Sequence, residues 1–112
     1  MPFDALPERV AEDVLKLRMA RDGVDAKWGV SRFGLEDDQH HCAIGWLLVA
    51  SEWDEAEATR LALNYVYPAL PPKAQGTGRI ESIYRYNDAG SKKRILDLFN
   101  QAIALAEKAH AG

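Results

Sequence analysis

The chain has 112 residues, of which 47% are hydrophobic, 28% charged and 9% aromatic. This length and composition are typical of one soluble globular domain, residues 1–112, with enough apolar residues to bury a core. The single cysteine excludes an internal disulfide framework and a multi-cysteine zinc site. The net charge of −3 excludes a strongly basic coat protein for nucleic acid.

The sequence predicts neither a secretory signal nor a membrane segment. Acidic residues such as Asp4 and Glu8 interrupt the first residues, where a signal would need a basic start and an apolar stretch. The longest apolar run, residues 42–50, is far shorter than the roughly 20 residues that span a bilayer. With one thiol and no signal, we expect a cytoplasmic protein with no membrane partner.

The first predicted helix begins near Pro7 and ends at Gly23. Proline suits the first helical turn, Val14 and Leu17 lie on one helical face, and Gly23 has the position of a C-cap. Residues 24–39 are expected to form a loop that folds its aromatic side chains onto the core.

The sequence predicts that residues 40–51 form the central helix of the fold. Apolar side chains surround almost every side of this segment, which is typical of a helix buried on all sides. Asp37 or Asp38 is expected to cap its start. Gly45 lies within it, and a glycine there indicates the close approach of another backbone.

The third predicted helix begins near Ser51 or Asp54. Ser51 followed by Asp54 resembles a capping box, with aspartate in place of the usual glutamate. Pro68, followed by a Pro-Pro pair, is expected to end this helix, and a polar loop follows.

The remaining segment predicts two more elements and a turn. Residues 80–86 favour a short helix, with a short strand as the alternative, and Asn87 and Asp88 begin a turn. Ser91 is expected to cap a last helix that runs to about Lys108. The predicted fold is therefore all-α, a compact bundle of four to five helices around the central apolar helix.

The cluster His40-His41-Cys42 suggests two kinds of chemistry. A thiol beside imidazoles could form a nucleophile with its base or a pair of metal ligands. Adjacent residues on a helix point about 100° apart, so the spacing suits neither. The sequence favours a buried structural Cys42, with no catalytic residue, no metal site and no cofactor. A hydrolase or transferase that uses Cys42, His41 and Asp88 is the weaker alternative.

Residues 73–94 carry an excess of positive charge. They hold six basic and two acidic side chains, a net charge of +4, so the rest of the chain carries −7. Such runs are usually a solvated face, but cations beside a helix start can bind phosphate, and tyrosines can stack on bases. The candidate ligand-binding residues are Arg79, Arg85, Lys92, Lys93 and Arg94, with Tyr84 and Tyr86.

The motif Cys42-Ala43-Ile44-Gly45-Trp46-Leu47, followed by Tyr86-Asn87-Asp88 and a long amphipathic helix, resembles a family of small uncharacterised bacterial and phage proteins. That family has a C-A-x-G-A-L helix, an aromatic-N-D turn and a C-terminal amphipathic helix. Position 46 departs from it, because tryptophan stands where the family usually has alanine.

The resemblance carries no established activity. It implies that Cys42, Gly45, Asn87 and Asp88 form one structural unit. We therefore expect the Asn87-Asp88 turn to cap either the central helix near Cys42 or the last helix.

Two functional hypotheses follow from the sequence. The first is a non-enzymatic interaction or accessory protein of phage or mobile-element origin, which binds a protein partner or itself through a helical face. The alternative is binding of nucleic acid or of a phosphorylated ligand through residues 73–94.

Overall fold

Helices make up most of the described part of the chain, residues 7–28 and 42–111 of a computed structural model. They are α1 (Pro7–Lys27), α2 (Ala43–Ala50), α3 (Glu55–Leu61), α4 (Arg79–Asp88) and α5 (Lys92–Ala111). A π-helical segment, Ala62–Val66, and one further turn, Tyr67–Ala69, continue α3 without a break, and a 3₁₀ turn follows at Pro72–Ala74. The predicted all-α bundle of four to five helices is confirmed. None of the described helices is long and apolar enough to cross a membrane.

The short helix α2 lies at the centre of the bundle. All but two of its eight residues are buried, including Ile44, Gly45 and Leu47. Helix α1 packs most extensively against α5 and α2, and it contributes the fully buried Leu17 to the core. The prediction of a central apolar helix is confirmed, but the helix spans Ala43–Ala50 instead of residues 40–51. The cap predicted at Asp37 or Asp38 lies outside the described residues.

Helix α1 does not end at Gly23, as its sequence predicted, but continues to Lys27. A Cβ atom at position 23 would overlap the indole ring of Trp46, whose Nε1 donates to the Lys27 carbonyl at 3.2 Å. Gly23 therefore permits a close approach between helices instead of ending one. Because α1 continues to Lys27, the loop predicted from residue 24 begins later. Residues 29–39 of that predicted loop lie outside the described residues.

The capping box predicted from Ser51 and Asp54 is not formed, because the two residues cap different helices. Asp54 is the N-cap of α3, and its Oδ1 accepts a hydrogen bond from the Glu57 N–H at 3.2 Å. Ser51 is instead the C-cap of α2. Between them, Glu52 and Trp53 adopt left-handed conformations, with φ of 56° and 64°. Two successive left-handed residues turn the chain sharply. This conformation is strained for residues other than glycine, and the packed helices on either side hold it in place.

The sequence predicts that Pro68 ends the third helix, but the helix continues past it to Ala69. Pro68 lies in the turn Tyr67–Ala69 that continues the helix after the π-helical segment, although a proline has no N–H to donate there. Leu70 ends the helix, with a ψ of 146°. Pro71 follows directly, and a residue before proline is pushed into the extended region.

Residues 80–86 are helical, which settles the helix-or-strand alternative in favour of α4. The predicted turn at residues 87–90 overlaps the end of α4. Asn87 and Asp88 are the last residues of that helix, Ala89 is its C-cap, and the Gly90 N–H donates to the Asn87 carbonyl at 3.2 Å. Ser91 caps α5 as expected, since its Oγ accepts from the Arg94 N–H at 3.3 Å. Helix α5 then runs beyond Lys108 to Ala111.

Candidate functional site

A cavity of about 470 Å³ lies between the connection that precedes α4, the last part of α4 and the start of α5. We call it the basic cavity. Three of its side chains are cationic and, among the described residues, none of those that line it is acidic. It is lined by Pro71, Lys73, Ala74, Gly76, Ser82, Arg85, Tyr86 and Arg94.

Ser82 organises one wall of the basic cavity. It is 1% exposed, and its Oγ accepts from the Gly76 N–H at 2.9 Å while donating to the Gly78 carbonyl at 2.7 Å. The Arg85 Nη2 also donates to this oxygen, at 3.2 Å. The buried hydroxyl therefore fixes both the loop and the direction of the Arg85 guanidinium.

Arg94 and Tyr86 form the opposite wall. The Arg94 guanidinium carbon lies 3.7 Å from the centroid of the Tyr86 ring, which is a cation–π contact. A Cβ at Gly90 would lie 2.9 Å from both the Arg94 Cδ and the Tyr86 carbonyl oxygen, so glycine makes room for this arrangement. Stacking holds the plane of the guanidinium and leaves N–H groups at its edge for a ligand.

The cations of the basic cavity carry uncompensated charge. Within residues 7–28 and 42–111, Lys73, Arg85 and Arg94 form no ion pair with a carboxylate. Lys92 and Lys93, their neighbours in sequence, behave differently. Lys92 donates to the Asp25 carbonyl at 2.7 Å, and Lys93 pairs with Asp97 at 2.9 Å, one helical turn away.

Three of the seven predicted ligand-binding residues thus meet in one cavity: Arg85, Tyr86 and Arg94. Arg79 is exposed and lies outside its lining. Tyr84 is buried and lines a smaller, mainly apolar cavity of about 170 Å³ between α2, α3 and α4. Lys73 was part of the basic segment, but nothing in its spacing distinguished it from the other cations.

Two of the motif residues, Cys42 and Asn87, lie together at the start of α2. Asn87 is fully buried, and its Oδ1 accepts from the Ala43 N–H at 3.1 Å and from the Trp28 Nε1 at 2.8 Å. The expected contact between Asn87 and the start of the central helix is therefore present. Cys42, the N-cap residue, offers no capping side-chain bond and is fully buried. Asp88 points out to solvent, as an exposed residue.

The weaker nucleophile hypothesis gains no geometric support. The Cys42 thiol is inaccessible, whereas Asp88 is exposed, so the two do not share a surface that a substrate can reach. His40 and His41 lie outside the described residues.

A second cavity of about 470 Å³ lies between α1, the α2–α3 connection and α3. No prediction from the sequence concerned this cavity. We call it the acidic cavity because carboxylates outnumber cations in its lining by four to two. Its residues are Glu12, Lys16, Ala50, Ser51, Glu52, Asp54, Glu57 and Arg60.

A partly buried ion-pair network adjoins the acidic cavity and shares Lys16, Glu57 and Arg60 with its lining. Asp13 is 2% exposed and binds Arg60 through both carboxylate oxygens, at 2.5 and 3.2 Å. The Tyr65 hydroxyl donates to the same carboxylate at 2.7 Å. Glu57 accepts from Arg60 at 2.8 Å and from Lys16 at 3.0 Å. The network joins α1 to α3 and occupies both cations of the cavity.

The network changes the acidity of three of its members. The hydrogen bond from Arg60 lowers the pKa of Glu57 to about 2, with Lys16 adding to the effect, so this carboxylate stays ionised. Burial raises the pKa of Tyr65 to about 12, and its hydrogen bond to Asp13 acts in the same direction. The same two carboxylates raise the pKa of Arg60 above its already high value.

The π-helical segment explains how Arg60 and Tyr65 reach one carboxylate. In a regular α-helix, residues five apart point about 140° away from each other. Tyr65 lies in the wider π turn, which reduces this angle. One signal could have predicted the network. Asp13 lies four residues before Leu17, and therefore on the apolar face of α1, where a carboxylate needs a partner.

Comparisons with protein families, with curated proteins and with solved structures give no match to this chain. Any functional conclusion therefore depends on the geometry of the two cavities.

Proposed function

We propose that this protein binds a small ligand through a phosphate group held in the basic cavity. One observation carries the proposal. Lys73, Arg85 and Arg94 surround one cavity, no acidic side chain lines it among the described residues, and none of the three cations has a carboxylate partner there.

The two arginines match the geometry of a phosphate. A guanidinium presents its donors as a planar fork and forms paired hydrogen bonds with phosphate oxygens. Ser82 directs Arg85, and stacking on Tyr86 directs Arg94, so part of the ordering cost is met before a ligand arrives. The volume of about 470 Å³ is that of a small-molecule site.

The arrangement favours a small phosphorylated ligand over nucleic acid. A nucleic-acid backbone requires a row of available cations along a groove or face. Lys92 and Lys93 are engaged by Asp25 and Asp97, and Arg79 lies outside the cavity. The available cations converge on one cavity, which suits one or two phosphate groups.

Calorimetric titration with phenyl phosphate tests the proposal, with a single-stranded oligothymidylate as the second probe. We expect phenyl phosphate to bind, and Arg85→Gln and Arg94→Gln each to weaken it about tenfold, because each removes a charged hydrogen-bond donor. Lys93→Gln is the matched control on the same helix and should leave the affinity unchanged.

Two results would contradict the proposal. The first is the absence of phenyl phosphate binding. The second is an equal loss of affinity in Lys93→Gln, which would indicate general attraction by positive charge. Tight oligothymidylate binding that weakens in Lys92→Gln and Lys93→Gln, and falls steeply with salt, would favour the nucleic-acid alternative instead.

The interaction-protein hypothesis stays a prediction. Leu15 and Met19 lie one turn apart on α1, with 58% and 50% of their surface exposed. This pair is a candidate contact for a protein partner or for self-association. It is small compared with the apolar patches that mark most interfaces, so the basic cavity is the better supported site.

A further inference from the structure

The positive charge of the basic cavity exceeds what a singly charged anion neutralises. Lys73, Arg85 and Arg94 give its lining a net charge of +3, and no acidic side chain of the described lining offsets it. The two carboxylates of α4, Glu81 and Asp88, lie outside the lining. A singly charged ligand would leave two positive charges uncompensated, whereas a doubly charged ligand would leave one. Coulomb attraction therefore favours the ligand with the larger charge.

The three cations reach the cavity from three different elements. Lys73 belongs to the 3₁₀ turn Pro72–Ala74, Arg85 to α4 and Arg94 to α5. Cations that converge from separate elements can each contact a different oxygen of a tetrahedral anion. A terminal phosphate offers at least three such oxygens, whereas a phosphate diester offers two and carries a second substituent. The arrangement therefore suits the end of a ligand instead of a point along a chain.

Protein contacts hold the two guanidinium groups in the cavity. Arg85 donates to the Ser82 Oγ at 3.2 Å, and Arg94 stacks on the Tyr86 ring. A Cβ at Gly76 would lie 2.8 Å from the Arg85 Nη2, so glycine lets the loop after the 3₁₀ turn approach this guanidinium. Like charges held in one cavity repel each other, and a ligand that neutralises more of them gains more binding free energy.

We propose that the basic cavity selects a terminal phosphate in its doubly charged form. This inference rests on the proposed phosphate binding and adds a selection by charge, which disfavours phosphate diesters and sulfate esters. A phosphate monoester gains its second negative charge at about pH 6. Lysine, arginine and tyrosine ordinarily titrate at about pH 10 or above, and the described lining contains no other titratable type. Binding should therefore strengthen between pH 5 and 7.5 through the ligand alone.

Calorimetric titration with three aromatic esters tests the selection. Phenyl phosphate has three terminal oxygens and two charges, phenyl sulfate has three and one, and methyl phenyl phosphate has two and one. At pH 7.5 we expect phenyl phosphate to bind about tenfold more tightly than either of the others. Its affinity should fall about tenfold between pH 7.5 and 5 as its dianion is protonated, while that of phenyl sulfate stays constant.

Inorganic phosphate, titrated at pH 7.5, distinguishes the two sources of a terminal phosphate. Tighter binding of phenyl phosphate would identify an organic monoester, because Pro71 and Ala74 offer its substituent an apolar wall. Equal or tighter binding of inorganic phosphate would identify the free ion. Either result supports a doubly charged terminal phosphate as the group that the cavity holds.

Lys73→Gln tests the selection by charge within the protein. Because Coulomb energy is proportional to ligand charge, the loss of affinity for phenyl phosphate should be about the square of the loss for phenyl sulfate, for example about tenfold against about threefold. Lys73 is exposed on its turn, so the variant should keep the melting temperature of the parent. Lys93→Gln is the matched control, since Lys93 pairs with Asp97, and should leave both affinities unchanged.

Three results would overturn the selection and leave phosphate binding itself intact. They are equal affinities for phenyl phosphate and either singly charged ester, an affinity for phenyl phosphate that does not change with pH, and equal losses for phosphate and sulfate in Lys73→Gln. The absence of phenyl phosphate binding would instead overturn both the selection and the proposed function.

Discussion

At the scale of single residues, Asn87 has the most consequential contacts. It belongs to the last turn of α4, yet its side-chain oxygen accepts from the Ala43 N–H at the start of α2 and from the Trp28 indole. The first N–H groups of a helix have no partner within it. Because Cys42 offers no capping oxygen, Asn87 supplies that acceptor from another part of the chain.

We expect Asn87→Ala to lower the free energy of unfolding by about 2–4 kcal/mol, because it leaves two donors without their shared acceptor in a buried place. Urea unfolding followed by circular dichroism measures the change. Asp88→Ala, the exposed neighbour, is the control and should stay within about 0.5 kcal/mol of the parent. A loss below about 1 kcal/mol in Asn87→Ala would show that water replaces the amide there.

At the scale of elements, the contact between α1 and α3 depends on charge as well as on apolar packing. Asp13 and Lys16 lie on α1, and Glu57 and Arg60 lie on α3. Exposed ion pairs contribute little to stability, but a pair with one buried partner is costly to break. The network therefore fixes how the two helices meet, and it should respond to pH.

Stability should fall more steeply in acid for the parent protein than for Glu57→Gln. The pKa of Glu57 is about 2 in the folded protein and near 4.5 without its partners. A lowered folded pKa contributes stability that is fully present above the unfolded pKa and is lost as pH falls from about 4.5 towards 2. Urea unfolding at intervals between pH 5 and 2 gives the two profiles.

Glu55→Gln is the control for this experiment, since Glu55 is exposed in the first turn of the same helix and pairs with no cation among the described residues. Its profile should follow that of the parent. Parallel profiles for the parent and Glu57→Gln would contradict the assigned role of the network.

The sequence predicts the middle of the helices better than their ends. The apolar pattern of α2 identified it as central, because that pattern is a property of the segment itself. The predicted end of α1 at Gly23 was wrong. The glycine is needed there because the indole of Trp46, on another helix, leaves no room for a side chain. The continuation past Pro68 was missed because a π-helical segment has no simple sequence pattern.

The same distinction applies to the two cavities. Arg85 and Arg94 could be predicted from the local excess of basic residues. The sequence could not predict that Lys92, unlike these arginines, is engaged elsewhere, because its hydrogen bond goes to the Asp25 carbonyl on α1, far away in the sequence. The acidic cavity combines three segments. Residues 52–57 hold four acidic side chains and no basic one, but the sequence could not predict that they lie beside Glu12 and Lys16 of α1.

At the scale of the whole molecule, the only cysteine reports on the integrity of the core. Cys42 is fully buried at the junction of α2 with Asn87. A reagent can reach its thiol only when the surrounding helices open, so labelling measures the free energy of that opening.

We expect the native protein to react slowly with a disulfide reagent and the urea-unfolded protein to react at once. An opening free energy of about 4 kcal/mol would slow labelling on the order of 10³-fold. Asn87→Ala should label faster than the parent by the factor that its lost stability predicts. Rapid labelling of the native parent would instead show a reactive thiol and revive the nucleophile hypothesis.

The capping of α2 by Asn87 also has a consequence for biosynthesis. A ribosome makes the central helix well before the residue that completes its start, and it makes α5, the main packing partner of α1, later still. A nascent chain that ends after α3 carries the apolar surface of the core without the groups that close it. Folding of the bundle should therefore wait for α5, and translation products that end before it should be prone to aggregation and proteolysis.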